Sequence, residues 1–151
     1  MKAAVTDESV LRTDLTLEYP FNRSTGPVVG AFLTALREGF LVGVRRADGS
    51  VLVPPLEYDP ETAEPLTEIV EVGDAGVVTS WCWNGEPRSN QPFDAPFAWA
   101  LILLDGADTP MLHAVRADAG RMNTGMRVRA QWRTERSGRI DDIECFVPEP
   151  E

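Results

Sequence analysis

The sequence predicts a mainly β protein, in which a five- to six-stranded barrel of the OB type follows an N-terminal helix and a short hairpin. Phe97–Leu104 is an unbroken apolar run closed by a Gly-containing turn, which is typical of a central strand. Residues 125–134 alternate strictly between apolar and polar side chains. From residue 66 onward, short strand-like segments follow one another without a long helix between them, which favours a small barrel.

Composition and charge restrict the class of protein. An apolar content of 43% in 151 residues is enough for the core of one domain, and the net charge of −10 argues against nucleic-acid binding. No run of about 18 apolar residues and no apolar signal core occur, so we expect a cytoplasmic protein without a membrane span. Cys82 and Cys145 lie in strand-like segments and are expected to be buried free thiols.

The N-terminal part predicts an arm and one helix. Residues 1 to about 13 are polar and are expected to be flexible, and Leu15–Phe21 alternates and is expected to be extended. Ser24 or Thr25 is predicted to cap a helix that begins at Pro27, and Gly39 ends it. The apolar residues of this helix cover more than one narrow stripe, so an isolated chain is expected to expose an apolar strip that favours association. These residues are Val28, Val29, Ala31, Phe32, Leu33, Ala35 and Leu36.

A hairpin and a loop follow the helix. Residues 40–45 and 50–53 are predicted strands, and the Asp48-Gly49 pair between them is typical of a tight turn. Pro54-Pro55 ends the hairpin. Residues 57–65 form an acidic loop interrupted by prolines.

The rest of the chain is predicted to form the barrel. Its strands are expected at 66–72, 76–83, 97–104, 111–115, 125–134 and 140–147. The run 97–104 is expected to be buried on both faces, with Trp99 in the core. In 125–134 the residues Met126, Val128, Ala130 and Trp132 are expected to face inward, and a long loop spans 84–95.

No self-contained active site is evident in the sequence. One His and two separated Cys cannot form a standard structural zinc site. A carboxylate site for a hard cation is conceivable at Asp59, Glu61 and Glu64, but acidic loops are usually only solvated. His113 lies in a strand, where a packed histidine is commoner than a catalytic base.

Two features suit binding better. Phe93 stands in the polar loop 84–95 and is the contact residue that we expect among the aromatic residues there. The last hairpin carries a series of arginines, which form either a solvated outer face or a basic strip for an acidic partner or phosphorylated ligand. The series is Arg127, Arg129, Arg133, Arg136 and Arg139.

The order of these elements resembles a known family, the acyl-CoA-associated OB-fold proteins with an N-terminal helix and a rubredoxin-like zinc ribbon (domain of unknown function thirty-five). The order and spacing of the matching stretches carry the resemblance, which covers about residues 19–147. The stretches are 19–27 (Tyr-Pro-Phe-Asn-Arg-Ser-Thr-Gly-Pro), 32–39, 41–43, 53–55, 76–81, 96–106 and 125–128.

The chain departs from this family at the zinc ligands. Where the family has Cys-x-x-Cys-Gly, this sequence has Arg45-Arg-Ala-Asp48-Gly49, and where it has Cys-Pro-x-Cys, this one has Asp59-Pro-Glu-Thr62. We therefore expect a metal-free, degenerate zinc-ribbon hairpin held by packing, and no zinc cofactor. The predicted organisation is an arm and helix over 1–39, this hairpin over 40–65 and the barrel over 66–151.

The resemblance also implies a function. Members of the family accompany thiolase-fold enzymes, including thiolases and the lipid-transfer-protein-like aldolases of steroid side-chain breakdown. It implies a non-catalytic accessory subunit in a hetero-oligomer, with a CoA thioester as a ligand. The residues expected to contact CoA phosphates are Arg23, Arg37 and Arg45. The residues expected at the partner interface are Phe21, Ala31, Phe93, Pro96 and Phe97.

Three other functions stay open at this point. The first alternative is a free-standing carrier of acyl-CoA or of another hydrophobic ligand. The second is an enzyme in its own right that uses His113. Nucleic-acid binding comes last because of the chain's negative charge.

Overall fold

The computed structural model describes residues 13–22 and 24–150. Within them the chain forms one α-helix, eight strands and two 3₁₀ turns, Ala119–Arg121 and Ile140–Asp142. The helix α1 is Pro27–Glu38, and the strands are β1 (Leu41–Arg45), β2 (Val51–Leu52), β3 (Glu68–Val72), β4 (Ala75–Asn84), β5 (Phe97–Leu104), β6 (Met111–Val115), β7 (Arg127–Trp132) and β8 (Ile143–Pro148). The flexible arm predicted for residues 1 to about 13 lies outside the described residues apart from its last position.

Strands β4 to β8 close into a barrel in the order β4-β5-β6-β8-β7. All neighbouring strands are antiparallel except β6 and β8, which are parallel. A five-stranded barrel preceded by a helix confirms the predicted OB-type fold. In β7 the predicted alternation is also confirmed, since Val128 and Ala130 are buried while Arg127 and Arg129 are exposed.

Strand β5 is buried mainly on its inner face. Ala98, Ala100, Ile102 and Leu104 line the barrel interior, at no more than 1% exposure. The outer face is only partly covered, because Leu101 is 37% exposed and Trp99 is half-buried. The prediction that the apolar run is buried on both faces, with Trp99 in the core, is therefore wrong. The barrel has a single interior, and nothing packs over the whole outer face of β5.

The predicted first barrel strand belongs instead to a small sheet of order β2-β1-β3. Residues 41–44 of β1 are all buried, and both edges of this strand are paired, with β2 and with β3. The boundary predicted at residue 66 therefore places β3 in the wrong unit, since the barrel begins at β4. The predicted hairpin is present as β1 and β2, with Gly49 at a φ of 90° in its turn.

The turn between β5 and β6 joins the small sheet to the barrel. The backbone N–H of Val51 donates to Oδ2 of Asp108 at 2.8 Å, and the Asp108 N–H donates to the carbonyl of Val51 at 2.8 Å. The N–H of Val53 donates to Oγ1 of Thr109 at 2.8 Å. These bonds satisfy the backbone groups at the outer edge of β2. Buried apolar residues of the small sheet and of the barrel also belong to one hydrophobic core.

A carboxylate from the acidic loop caps α1. The N-cap residue of the helix is Gly26, and neither Ser24 nor Thr25 provides the predicted side-chain cap. The N–H groups of Val28 and Val29 instead donate to the Glu57 carboxylate at 3.3 and 2.8 Å. A Cβ on residue 26 would collide with that carboxylate, so glycine permits its approach.

The C-terminus of α1 ends as predicted. Gly39 adopts the left-handed conformation with a φ of 89°, and its N–H donates to the carbonyls of Ala35 and Leu36. Arg136 of the barrel donates to the carbonyl of Arg37 at 3.0 Å. The barrel therefore binds directly to the last turn of the helix.

The helix buries one face and half-buries part of another. Val28, Phe32, Ala35 and Leu36 are buried, whereas Val29, Ala31 and Leu33 are half-buried. The uncovered apolar strip is thus narrower than the sequence predicts. Among the described residues, no helix is both long and apolar enough to cross a membrane.

Candidate functional site

Arg46 links the β1–β2 turn to the acidic loop. Its guanidinium donates to both carboxylate oxygens of Asp59, at 2.7 and 3.1 Å, and contacts Glu61 at 2.9 Å and Asp48 at 3.2 Å. The Arg46 and Asp59 side chains are only 13% and 7% exposed. Hydrogen bonding from Arg46 holds the pKa of Asp59 well below its usual range. A cation on the chain itself therefore joins the two segments that carry zinc ligands in the resembling family.

The residues at the expected ligand positions do not fit zinc. Arg45 pairs with Glu68 at 2.8 Å, and the backbone N–H of Thr62 donates to the Asp59 carboxylate. Zinc in proteins takes thiolate, imidazole and carboxylate ligands, and a guanidinium already holds the carboxylates here. Within the described ranges, no three His, Cys, Asp or Glu side chains are grouped to hold a metal ion. That the protein contains no zinc stays a prediction.

His113 is a packed side chain. It is 8% exposed, and its ring nitrogens lie 3.5 Å from the carbonyl oxygens of Ala114 and Ile140. Its ring meets Phe146 edge-on at 5.5 Å, and burial lowers its pKa below the usual value. No carboxylate or hydroxyl of the described chain is within hydrogen-bond distance of either ring nitrogen. Burial therefore disfavours the protonated ring, and among the described side chains no carboxylate or hydroxyl assists it as a general base.

A groove lies on the outer surface of β5 and β6, between the β4–β5 loop (85–96) and the β7–β8 loop (133–142). We call it the β5–β6 groove; its volume is about 390 Å³. Its lining combines apolar, aromatic and charged side chains, among them Trp99, Leu112, His113, Arg133, Arg139 and Ile140. In OB folds this face and these two loops are the usual ligand-binding surface.

The arginines on β7 are engaged within the chain. Arg127 forms a bidentate pair with Asp105, at 2.7 Å for both bonds, and also binds Glu149 at 2.9 Å. Arg129 pairs with Asp74 and with Glu149. This part of the predicted basic strip is therefore neutralised by acidic neighbours. Arg133, Arg136 and Arg139 lie apart from it, in the β7–β8 loop.

The comparisons agree with this barrel. Residues 69–133 match a family model described as ChsH2, C-terminal OB-fold domain. The structure is similar to a chain of the Ltp2-ChsH2(DUF35) aldolase, with a TM-score of 0.60 and 20% identity over 84% of this chain and 98% of that one. The predicted family is thereby confirmed. Residues 69–133 are thus similar to the OB-fold domain of ChsH2, a DUF35 protein.

A second solved structure shares the fold. It is a DUF35 protein of unknown function from Sulfolobus solfataricus, with a TM-score of 0.57 and 19% identity over 70% of this chain and 78% of that one. At these identities the two structures show a common fold. No curated protein matches the sequence.

The described arginines among those expected to contact CoA phosphates are not brought together. Arg45 donates to Glu68 and to the carbonyl of Gly49, so its guanidinium is occupied. Arg37 is exposed in the last turn of α1, and the length of β1 separates it from Arg45. Arg23 lies outside the described residues. Of the two described arginines, Arg37 is thus exposed and Arg45 is paired, and they do not form a cluster.

The expected interface residues differ in accessibility. Phe21 is 81% exposed, Pro96 is exposed and Ala31 is half-buried. Phe97 is fully buried, so the prediction that it contacts a partner is wrong. It begins β5, where the rings of Phe93 and Trp99 pack edge-on against it.

Phe93 has contacts within the chain. It is half-buried, its ring meets Phe97 edge-on at 5.4 Å, and the Arg116 guanidinium lies 4.6 Å from its ring centre. These contacts fasten the β4–β5 loop to the barrel. A role for Phe93 at an interface stays a prediction.

Both cysteines are free thiols, and the prediction that both are buried is half right, since Cys145 is buried while Cys82 is exposed.

Sequence reasoning missed the two arrangements richest in interactions. Arg46 stands between two expected ligand positions and was not considered as a replacement for the ion. The β5–β6 groove draws on loops that are distant in sequence. Its one available signal is the OB topology itself, which places the first and last loops of the barrel beside its second and third strands.

Proposed function

We propose that the protein is a non-catalytic accessory subunit of a thiolase-fold acyl-CoA enzyme of the thiolase or aldolase type. The observation that carries the proposal is the similarity over 98% of the chain from the Ltp2-ChsH2(DUF35) aldolase. In that aldolase, as its name states, the DUF35 protein ChsH2 is combined with a second protein, Ltp2. The similarity also covers 84% of this chain, which suits a protein that binds a partner in the same way.

The chemistry of the described residues supports an accessory role. The single histidine is buried against backbone carbonyls and has no nucleophile beside it. Among the charged groups, Arg46 pairs with Asp59 and Arg127 pairs with Asp105. Because such pairs are already satisfied, they support the fold rather than chemistry, and the partner would supply the catalytic groups.

The proposed docking surface includes Phe21, Ala31 and Pro96. Phe21 belongs to the extended segment before α1, in which Leu15, Leu17 and Tyr19 are also at least 67% exposed. Burying such side chains against a partner would release apolar surface from water. Contact with the CoA thioester is part of the proposal, and Arg37 is its most accessible arginine.

Co-expression with the thiolase-fold protein encoded nearest to it in its genome tests the proposal. We expect the two chains to co-purify and to elute together at a defined stoichiometry. Phe21→Ser should weaken this complex without unfolding the chain, because the ring makes no contact with the core. Leu112→Ser, an exposed apolar residue on the barrel, is the matched control and should leave it intact. Separate elution of the wild-type chains would contradict the proposal.

A further inference from the structure

The β5–β6 groove has an apolar floor, formed by Leu112 and Ile140. Leu112 is 59% exposed and Ile140 is 45% exposed, and both line the groove. Trp99 is half-buried beside them, and its ring is held edge-on against Phe97 at 5.1 Å. An indole fixed in this way offers a flat surface on which a planar ring can stack. The floor is therefore ready to take an apolar or aromatic group.

The groove is lined by two arginines and two acids, and one of the arginines pairs with neither acid. Asp141 accepts a hydrogen bond from Arg139 at 2.9 Å, and Glu144 accepts from Arg116 at 3.0 Å. Each of these acids is thus matched by a guanidinium group.

Arg133 is the remaining cation of this groove. It donates through Nε to the backbone carbonyl of Asp141 at 2.6 Å, and in the described part of the chain its two terminal nitrogens have no acceptor. This single bond holds the guanidinium at the groove. The terminal N–H groups then suit an anionic oxygen.

We propose that the β5–β6 groove binds a small ligand that joins a planar heteroaromatic ring to one anionic group, of the size of a nucleoside monophosphate. The ring stacks on Trp99 over the floor of Leu112 and Ile140, and the anion binds Arg133. A volume of about 390 Å³ is in the range of small-molecule sites. The chain's charge of −10 opposes a long polyanion, which favours a mononucleotide over a nucleic-acid strand.

This site is independent of the proposed partner and is tested on the full chain alone. Calorimetric titration at low salt would compare three probes: AMP, adenosine, which lacks the anion, and ribose 5-phosphate, which lacks the ring. We expect AMP to bind about tenfold or more tightly than either fragment, because only AMP engages both the indole and the guanidinium.

Variants assign the binding to the groove. Arg133→Gln should lower the affinity for AMP about tenfold and leave that for adenosine unchanged. Arg121→Gln, an exposed arginine on the 3₁₀ turn before β7, is the matched control and should change neither. Trp99→Phe should keep most of the binding, whereas Trp99→Leu should lose the advantage of AMP over ribose 5-phosphate.

Two results would overturn the inference. One is that no probe binds at millimolar concentration. The other is that AMP binds no more tightly than adenosine or ribose 5-phosphate. This second result can be interpreted without any of the variants. Neither result bears on docking to a thiolase-fold partner, since no partner is present in the experiment.

Discussion

Replacing Glu57 should weaken the attachment of α1 to the rest of the molecule. Its carboxylate accepts the N–H groups of Val28 and Val29, the first two that follow Pro27. Loss of a cap costs about 0.5–2 kcal/mol, and loss of a negative charge at a helix N-terminus costs about 0.3–1 kcal/mol more. For Glu57→Ala we therefore expect about 2 kcal/mol of lost stability, which in a protein of this size lowers Tm by about 4–8 °C.

Thermal and urea unfolding would measure this loss, and two further variants separate its causes. Glu57→Gln keeps an acceptor oxygen without the charge, so its loss should be about half as large. Glu64→Ala removes an exposed acid from the same loop and should change stability by less than about 0.5 kcal/mol. If Glu57→Ala is as stable as the Glu64 control, the carboxylate does not cap the helix and the account of this junction is wrong.

Three further predictions concern buried groups. Phe97→Ala should cost about 3–5 kcal/mol of stability, against about 1 kcal/mol for Phe93→Ala, which loses only edge and cation contacts; similar losses in urea unfolding would refute the burial of Phe97. Arg46→Met should lower Tm more than Arg45→Met, because Asp59 is left nearly buried without its partner while Glu68 is exposed; equal losses would contradict this. The NMR titration of His113, the single histidine, should give a pKa below the ordinary value of about 6.5. The free energy of unfolding should then fall as the pH drops below about 6.5, because the unfolded chain binds the proton before the folded chain does. An ordinary pKa would contradict the burial of His113.

Local patterns in the sequence were sufficient for most of the fold. The alternation in β7, the Asp48-Gly49 turn and the glycine stop of α1 depend on neighbouring residues, and all three are present in the structure. The apolar run of β5 was located correctly. Its two faces were not, because an apolar run by itself cannot tell how many layers cover a strand.

The missed features all depend on residues that are far apart in the sequence. Strand β3 joins the small sheet because β1 has a free edge to pair, which no pattern within β3 reveals. Glu57 caps a helix that begins thirty residues earlier, and Arg46 reaches Asp59 across the hairpin. Such contacts follow from the tertiary arrangement, so the sequence predicted the elements and their order better than it predicted the site.

The proposed accessory role is tested most directly by the activity of the thiolase-fold partner on its CoA thioester, measured alone and with equimolar amounts of this chain. The account predicts that this chain alone turns over nothing, and that adding it raises the partner's activity and Tm together. Phe21→Ser should reduce that gain, because it weakens the complex. A partner that is equally active and equally stable without this chain would contradict the account.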